Sequence, residues 1–242
     1  MFNFFKKNRS TDFASVKTDM HSHLIPGIDD GAQNIEESVH LIRGLMEMGY
    51  EKIITTPHIY QEYYPNTSGI IRSGLEKLKR HLQEVGIQIE IEAAAEYFLD
   101  EHFEQLVKAD DILTFGNNNV LVEMSFYYET PKVFDYIFQL RSKGYNPILA
   151  HPERYIYYAQ EFEKYEQFKD RGCLLQMNIL SLLGYYGKPI QQNAMRLVKE
   201  DLVDLIGTDL HKDRQLQAIK AGLNNAKLVK LLERREFGNV GL

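Results

Sequence analysis

Short apolar runs alternate along the chain with longer stretches in which apolar residues recur every three or four positions. The runs SVKTDM (15–20), KIITT (52–56), IQIEIEAAA (87–95), NVLVEM (119–124), NPILA (146–150), CLLQMN (173–178) and VDLIGT (203–208) predict seven β-strands. Stretches 34–49, 68–86 and 130–144 predict amphipathic helices. The first offers Asn34 as N-cap, Glu36 and Glu37 in the first turn, and Gly49 as a stop; the third has Pro131 near its first turn. Seven strand–helix units at roughly 30 residues each match the size of a βαβ element. No linker rich in Pro, Gly or Ser divides them, and no repeat is visible. The prediction is α/β: one domain over residues 16–242, built as a closed or nearly closed barrel of parallel strands, after a loose tail over residues 1–15. An open doubly wound sheet is the alternative, weakened in its nucleotide-binding form by the lack of a glycine-rich phosphate loop.

Composition narrows the function more than the fold. The 242 residues are 44% hydrophobic and 26% charged, ordinary for a globular protein with a sizeable core. A formal net charge of −6 argues against nucleic acid or an anionic membrane as partner. No apolar run approaches the roughly 18 residues of a membrane span, and no apolar h-region follows the basic opening, so a cytoplasmic protein that does not span a membrane is expected. The single cysteine, Cys173, excludes an intrachain disulfide and a cysteine-based zinc finger. Its setting in RGCLLQMNI predicts a buried structural thiol.

The polar residues collect at the C-terminal ends of the predicted strands. In chain order they are Asp19, His21 and His23 with Asp29 and Asp30 in the loop, then His58, Glu96, Glu123, His151 with Arg154, Asn178, and finally Asp209 and His211 with Arg214. In a barrel all these ends meet on one face, and that face carries the chemistry. Taken singly, each is explained as a helix cap or a hydrogen-bonded structural residue. Glu96 invites that reading most, since Asp100 and Glu101 follow at what looks like a helix start. Together, so many carboxylates would repel one another unless cations sat among them. His40, His81 and His102 fall inside helix patterns, where solvated or packed side chains and no function are expected.

The donors are nitrogen and oxygen without thiolate, which leaves manganese, iron, zinc or magnesium. Five imidazoles are too many for a site built for magnesium or calcium, and the carboxylates favour manganese or iron. Nine candidate ligands (His21, His23, Asp30, His58, Glu96, Glu123, His151, Asp209 and His211) exceed what one ion takes, so two or three ions are expected. Such a cluster suits hydrolysis of a phosphate ester. Arg154 and Arg214 add forked donors matched to phosphate oxygens. Tyrosine pairs in HIYQEYYPN, SFYYET, RYIYYAQ and LLGYYGK could line the same face and favour a phenolic phosphate.

The motifs DMHSH, DDG, TPH, AAAEY, HPERY and TDLH, in this order from about residue 17 to 215, resemble the polymerase and histidinol phosphatase (PHP) superfamily. They are most similar to its manganese-dependent bacterial protein-tyrosine phosphatases of capsule and exopolysaccharide assembly. The resemblance implies a distorted (β/α)7 barrel with a trinuclear manganese centre. It implies that His21, His23, Glu96 and Asp209 hold one ion; that Glu96, Glu123 and His151 hold a second; and that Asp30, His58 and His211 hold the third. It implies phosphate contact by Arg154, and by Arg214 in a similar role. The implied partner is the phosphotyrosine tail of a membrane-anchored tyrosine kinase. A histidinol-phosphate phosphatase of the same superfamily is the main alternative. An amidohydrolase would want a lysine where Glu123 stands, a proofreading nuclease would want a basic stripe, and a non-catalytic binding module would usually have lost ligands. The segment LVKLLERREFGNVGL (228–242) matches no motif.

Overall fold

The computed structural model describes residues 12–225, 228–231 and 235–242. Its strands are β1 (Thr18–Asp19), β2 (Lys52–Thr55), β3 (His58–Ile59), β4 (Glu90–Ala93), β5 (Glu96–Phe98), β6 (Asn119–Glu123), β7 (Asn146–Ala150), β8 (Leu174–Asn178) and β9 (Leu205–Gly207). All pair in parallel, in two sheets ordered β1-β2-β4 and β3-β5-β6-β7-β8-β9. Nine pieces make seven strand positions, because two predicted strands are each broken once. Pro57 interrupts β2 and β3, and Ala94–Ala95 separate β4 from β5. Proline cannot donate to a ladder, and the chain kinks there. Backbone bonds carry the ladder across both breaks: Thr56 N to Ser22 O (2.7 Å), Ala94 N to Thr55 O (3.0 Å) and Glu96 N to Pro57 O (3.1 Å).

The ring closes between its first and last strands. At the C-terminal end, Asp209 N donates to His21 O (2.8 Å) and His23 N to Leu210 O (3.0 Å), around a parallel bridge between Ser22 and Leu210. Lower down, side chains replace the ladder. The buried Asp19 carboxylate accepts from Thr208 N (3.0 Å) and Thr208 Oγ1 (2.9 Å). Lower still, the Asn239 carboxamide is wedged between the strands, donating to Thr18 O (2.9 Å) and Ile206 O (2.8 Å) and accepting from Ile206 N (3.0 Å). The motif-less C-terminal segment therefore seals the barrel floor. The predicted (β/α)7 barrel is the observed fold, distorted where strands break and where side chains stand in for backbone.

The helices form as their caps dictate. In α1 (Ile35–Glu47), Asn34 accepts from Glu37 N, and Gly49 ends the turn at φ +94. Thr67 caps α2 (Ser68–Glu84), and Asp100 caps α3 (Glu101–Ala109) through Phe103 N at 2.8 Å. With Asp100 as the cap, Glu96 is not needed for that role. The other helices are α4 (Val133–Ser142), α5 (Glu163–Asp170), α6 (Ile179–Leu182), α7 (Lys188–Lys199) and α8 (Asp213–Gly222). One continuous core of Ile, Leu, Val, Phe and Tyr fills the barrel and its helical coat. Phe13, expected in the loose tail, belongs to it, fully buried and stacked on Tyr50 at 5.0 Å. Residues 1–11 lie outside the described residues. Cys173 is buried at the head of β8, and burial pushes its thiol up to about 12. Among the described residues, no helix is long and apolar enough to cross a membrane.

Candidate metal centre

The strand ends bring all nine predicted ligands into one nest. At its middle lies Glu96, the first residue of β5 and fully buried. Its Oε2 is 3.2 Å from His21 Nε2, 3.4 Å from His23 Nε2 and 3.2 Å from His58 Nδ1. Its Oε1 is 2.9 Å from His151 Nε2. Asp209 Oδ1 stands 3.4 Å from His21 Nε2 and 3.7 Å from His23 Nε2, and the two imidazole nitrogens are 3.4 Å apart. Glu123 Oε1 approaches His58 Nδ1 at 2.9 Å, and its Oε2 is 3.9 Å from His151 Nε2. On the outer side, Asp30 Oδ1 is 3.5 Å from His58 Nε2 and 3.4 Å from His211 Nε2.

Two of these residues hold left-handed backbone, His151 at φ +36 and Asp209 at φ +51. Neither is glycine, and the strain is tolerated because the surrounding ladder fixes both. Gly31 of the DDG motif has its own reason. A Cβ there would lie 2.2 Å from His23 O and 2.9 Å from Asp29 Oδ1, so only glycine lets this loop fold against the HSH strand.

The donor geometry fits cations. His23 Nδ1 is 2.8 Å from Asp29 Oδ2, and His211 Nδ1 is 2.9 Å from the Asp209 carbonyl. Carbonyls and carboxylates accept, so each Nδ1 donates and each Nε2 is left with a bare lone pair. Those lone pairs face carboxylate oxygens and one another, an arrangement that only protons or metal ions can hold together. Glu96 Oε2 and His58 Nδ1 are buried without a hydrogen-bond partner. Around His21, His23, Glu96 and Asp209 the donor separations run from 3.2 to 3.7 Å. Four donors about 2.1 Å from one tetrahedral ion would be about 3.4 Å apart.

Without metal, protons take that place. Burial pushes the His21 and His23 imidazoliums down, but the carboxylates of Glu96 and Asp209 about His21, and of Asp29 and Glu96 about His23, hold both above the ordinary imidazole value. For His58, burial is likewise outweighed, chiefly by Glu123, and the value rises to about 9. Burial alone would raise Glu96 and Asp209, yet the imidazoles around them hold both below the usual carboxylate range.

The nest opens into a cleft of about 340 Å³, within the range of small-molecule sites. Arg154 forms one wall. Its guanidinium lies between the rings of Phe126 (4.1 Å) and Tyr186 (4.6 Å), with Nη1 3.1 Å from Asp209 Oδ2. Arg214 is exposed and lines the cleft, as do Lys212 and Tyr185.

Several expectations shift. His58 turns one ring nitrogen to Asp30 and the other to Glu96 and Glu123, so it straddles two of the implied ion sites. Of the tyrosine pairs, only Tyr185 and Tyr186 line the cleft. Tyr155 and Tyr158 are core residues, the Tyr155 hydroxyl accepting from Met124 N at 3.0 Å. Tyr63, Tyr127 and Tyr128 are exposed. His40 pairs with Asp213 on the surface, and His81 sits near Glu84, both apart from the nest. Sequence reasoning left Gln176 and Phe126 without roles. The alternation of Gln176 and Asn178 on the inner face of one buried strand was a signal for the first.

A parallel-stranded ring with converging imidazoles and carboxylates at its C-terminal end defines a barrel protein with a candidate metal centre. The chain belongs to the capsular polysaccharide synthesis family CpsB/CapC, whose model matches residues 17–226. The tyrosine-protein phosphatase YwqE of Bacillus subtilis is 27% identical over 194 residues, spanning 80% of this chain and 76% of YwqE. The tyrosine-protein phosphatase CpsB of Streptococcus pneumoniae is 25% identical over 199 residues, spanning 80% and 82%. A solved structure from work on YwqE and CpsB as metal-dependent tyrosine phosphatases superposes with a TM-score of 0.78 at 24% identity, covering 89% of this chain and 91% of its own. The resemblance read from the motifs agrees with these matches.

Proposed function

We propose that this chain is a metal-dependent protein-tyrosine phosphatase. The carrying observation is the buried Glu96 carboxylate, with both oxygens aimed at imidazole nitrogens and the nest opening onto an arginine-walled cleft. The proposed ligands are His21, His23, Asp30, His58, Glu96, Glu123, His151, Asp209 and His211, holding two or three ions, manganese first. Bound there, the ions supply Lewis acidity toward a phosphoryl oxygen and a water acidic enough to attack at neutral pH.

The chain's own residues do the rest. Asp29 and the Asp209 carbonyl fix the His23 and His211 rings in the tautomer that presents Nε2. The Phe126–Tyr186 sandwich fixes the plane of Arg154 before substrate arrives, so its fork meets phosphate oxygens at little entropic cost. Arg214, on the open side of the cleft, adds a second cation toward the same anion. Tyr185 and Tyr186 offer ring faces for a phenolic leaving group. The proposed substrate is the phosphotyrosine tail of a membrane-anchored tyrosine kinase, met in the cytoplasm; family resemblance and the names of the relatives support this.

The test is hydrolysis of p-nitrophenyl phosphate and a phosphotyrosine peptide by chelator-treated protein with and without added manganese. Manganese-dependent turnover of both is expected. Turnover of histidinol phosphate above every phosphotyrosine peptide would move the assignment to the small-molecule branch.

A further inference from the structure

Beneath the nest runs a chain of side-chain hydrogen bonds with a single direction. Arg154 Nη1 and Asn178 Nδ2 both reach Asp209 Oδ2, at 3.1 and 2.6 Å. An arginine can only donate, so this oxygen accepts, and Asn178 must present its amino group to it. Asn178 Oδ1 is thereby turned the other way, where it accepts from Gln176 Nε2 at 3.0 Å. That turns Gln176 Oε1 toward His21 Nδ1, 2.8 Å away. An amide oxygen cannot donate, so His21 Nδ1 carries the proton and Nε2 is left bare toward Glu96 and Asp209.

We propose that the Gln176–Asn178 carboxamide pair is a positioning relay: the acceptor at Asp209 sets the tautomer of His21 through two amides, so these two ligands are prepared together. The inference rests on the metal reading of the nest and not on the reaction.

Three features of the fold fit the relay. All four members are buried, so no water competes to reverse either amide. Asn178 is pinned at its backbone, where its N–H donates to Glu153 Oε1 (3.0 Å), an oxygen that also accepts from Ser181 Oγ (2.6 Å). The neighbouring strand leaves room for it. A Cβ at Gly207 would stand 2.7 Å from Gln176 Nε2 and 2.7 Å from His21 Cβ, so a side chain there would push the amide off the imidazole.

The test uses zinc, which is diamagnetic, on the full chain labelled with ¹⁵N-histidine. In the unsubstituted protein, His21 should show a slowly exchanging Nδ1 proton and a zinc-bound Nε2. Asn178→Leu removes the link to Asp209 at similar volume. It should abolish the protected Nδ1 signal and weaken zinc binding by about 10- to 100-fold, the usual cost of losing an outer partner. Gln176→Glu separates relay from packing. A carboxylate still accepts from His21, so this variant should keep the Nδ1 proton and most zinc affinity, whereas Gln176→Met should lose both. Gly207→Ala should shift the His21 signal without altering any polar group. A zinc-bound Nδ1 in the unsubstituted protein would overturn the relay. So would unchanged His21 signals and zinc affinity in Asn178→Leu, or equal behaviour of folded Gln176→Glu and Gln176→Met.

Discussion

Replacing Glu96 by glutamine tests the centre of the nest at constant shape. The amide keeps the volume and exchanges one carboxylate oxygen for an NH₂ that cannot bind a metal. In the metal-free protein this exchange is mild. Glu96 Oε2 faces three imidazole nitrogens at 3.2–3.4 Å, and an amide N–H in its place would donate to one or two of them once they shed the protons that the carboxylate held there. Metal binding is where the loss falls. Losing an outer partner of a metal ligand costs about 10- to 100-fold, and a carboxylate shared by two ions should cost at least the upper value. Suppose manganese is added at about a thousandfold above its Kd. It then stabilises the unsubstituted protein by about 4.1 kcal/mol. Binding weakened a hundredfold leaves the ion at about ten times Kd, and the stabilisation falls to about 1.4 kcal/mol. For a domain of this size each kcal/mol moves Tm by about 2–4 °C. Manganese should therefore raise Tm by roughly 8–16 °C in the unsubstituted protein and roughly 3–6 °C in Glu96→Gln.

The assay is paired: thermal melts of chelated and manganese-loaded protein, with elemental analysis after desalting. Chelated Glu96→Gln should melt within a few degrees of chelated unsubstituted protein, while its metal content falls. The opposite pattern would refute the reasoning. A variant that melts early when chelated, yet keeps full metal content and the full manganese shift, would make Glu96 a packing residue that merely neighbours the ions.

Arg154→Ala should lower kcat/KM by about 10- to 200-fold, from charge-assisted bonds worth about 1.5–3 kcal/mol; it must be measured at saturating manganese, because Asp209 loses its 3.1 Å partner as well. Arg154→Lys should recover only part, since an ammonium has no flat fork to lie between Phe126 and Tyr186. In chelated protein His58 is raised from 6.5 to about 9, so its contribution to stability is whole below 6.5 and is lost as pH climbs through about 9. Manganese displaces that proton, so apparent affinity from calorimetric titration should rise with pH and level off above about 9; affinity that falls over this range would contradict the assignment. Tyr63→Ala and Tyr128→Ala, at exposed rings 65% and 64% accessible, should reduce kcat/KM for a phosphotyrosine peptide and leave p-nitrophenyl phosphate untouched; equal effects on both substrates would deny these rings a role in holding the peptide. Cys173→Ser should leave manganese-dependent activity within about twofold, because a buried thiol raised to about 12 is no nucleophile at neutral pH.

The nine candidate ligands were legible because they lie at or just beyond apolar runs, and a barrel delivers every strand end to one face. His21 and His23 flank one residue, so they share a face of an extended chain, and the first turn of fold logic already makes them neighbours. The breaks within two strands were harder to see. IQIEIEAAA reads as one continuous strand, yet the strand is interrupted at Ala94–Ala95, and Glu96 opens a new segment that pairs with β3 and β6. The tyrosine loops misled for a local reason. In HPERYIYYAQ the chain turns through two short 3₁₀ segments, which carry Tyr155 and Tyr158 inward to the core and leave the rim to Phe126 and Tyr186.

Gln176 and Asn239 mark the boundary of what a sequence discloses. Both are buried carboxamides, and burying an amide without partners costs about 1–3 kcal/mol, so each must have found them. For Gln176 the sequence held half the answer. It stands two residues before Asn178 in a buried strand, so both amides face the barrel interior, where the metal ligands were already expected. The other half, the bond to His21, depends on the register of β8 against β9 and on the missing side chain of Gly207, and no local pattern states either. For Asn239 the sequence held nothing. Its partners, Thr18 and Ile206, are 221 and 33 residues away, and they need it only because the ring closes one strand pair short of a full ladder. A closure defect of that kind is a property of the whole barrel. The residue that repairs it can therefore be recognised only after the first and last strands have met.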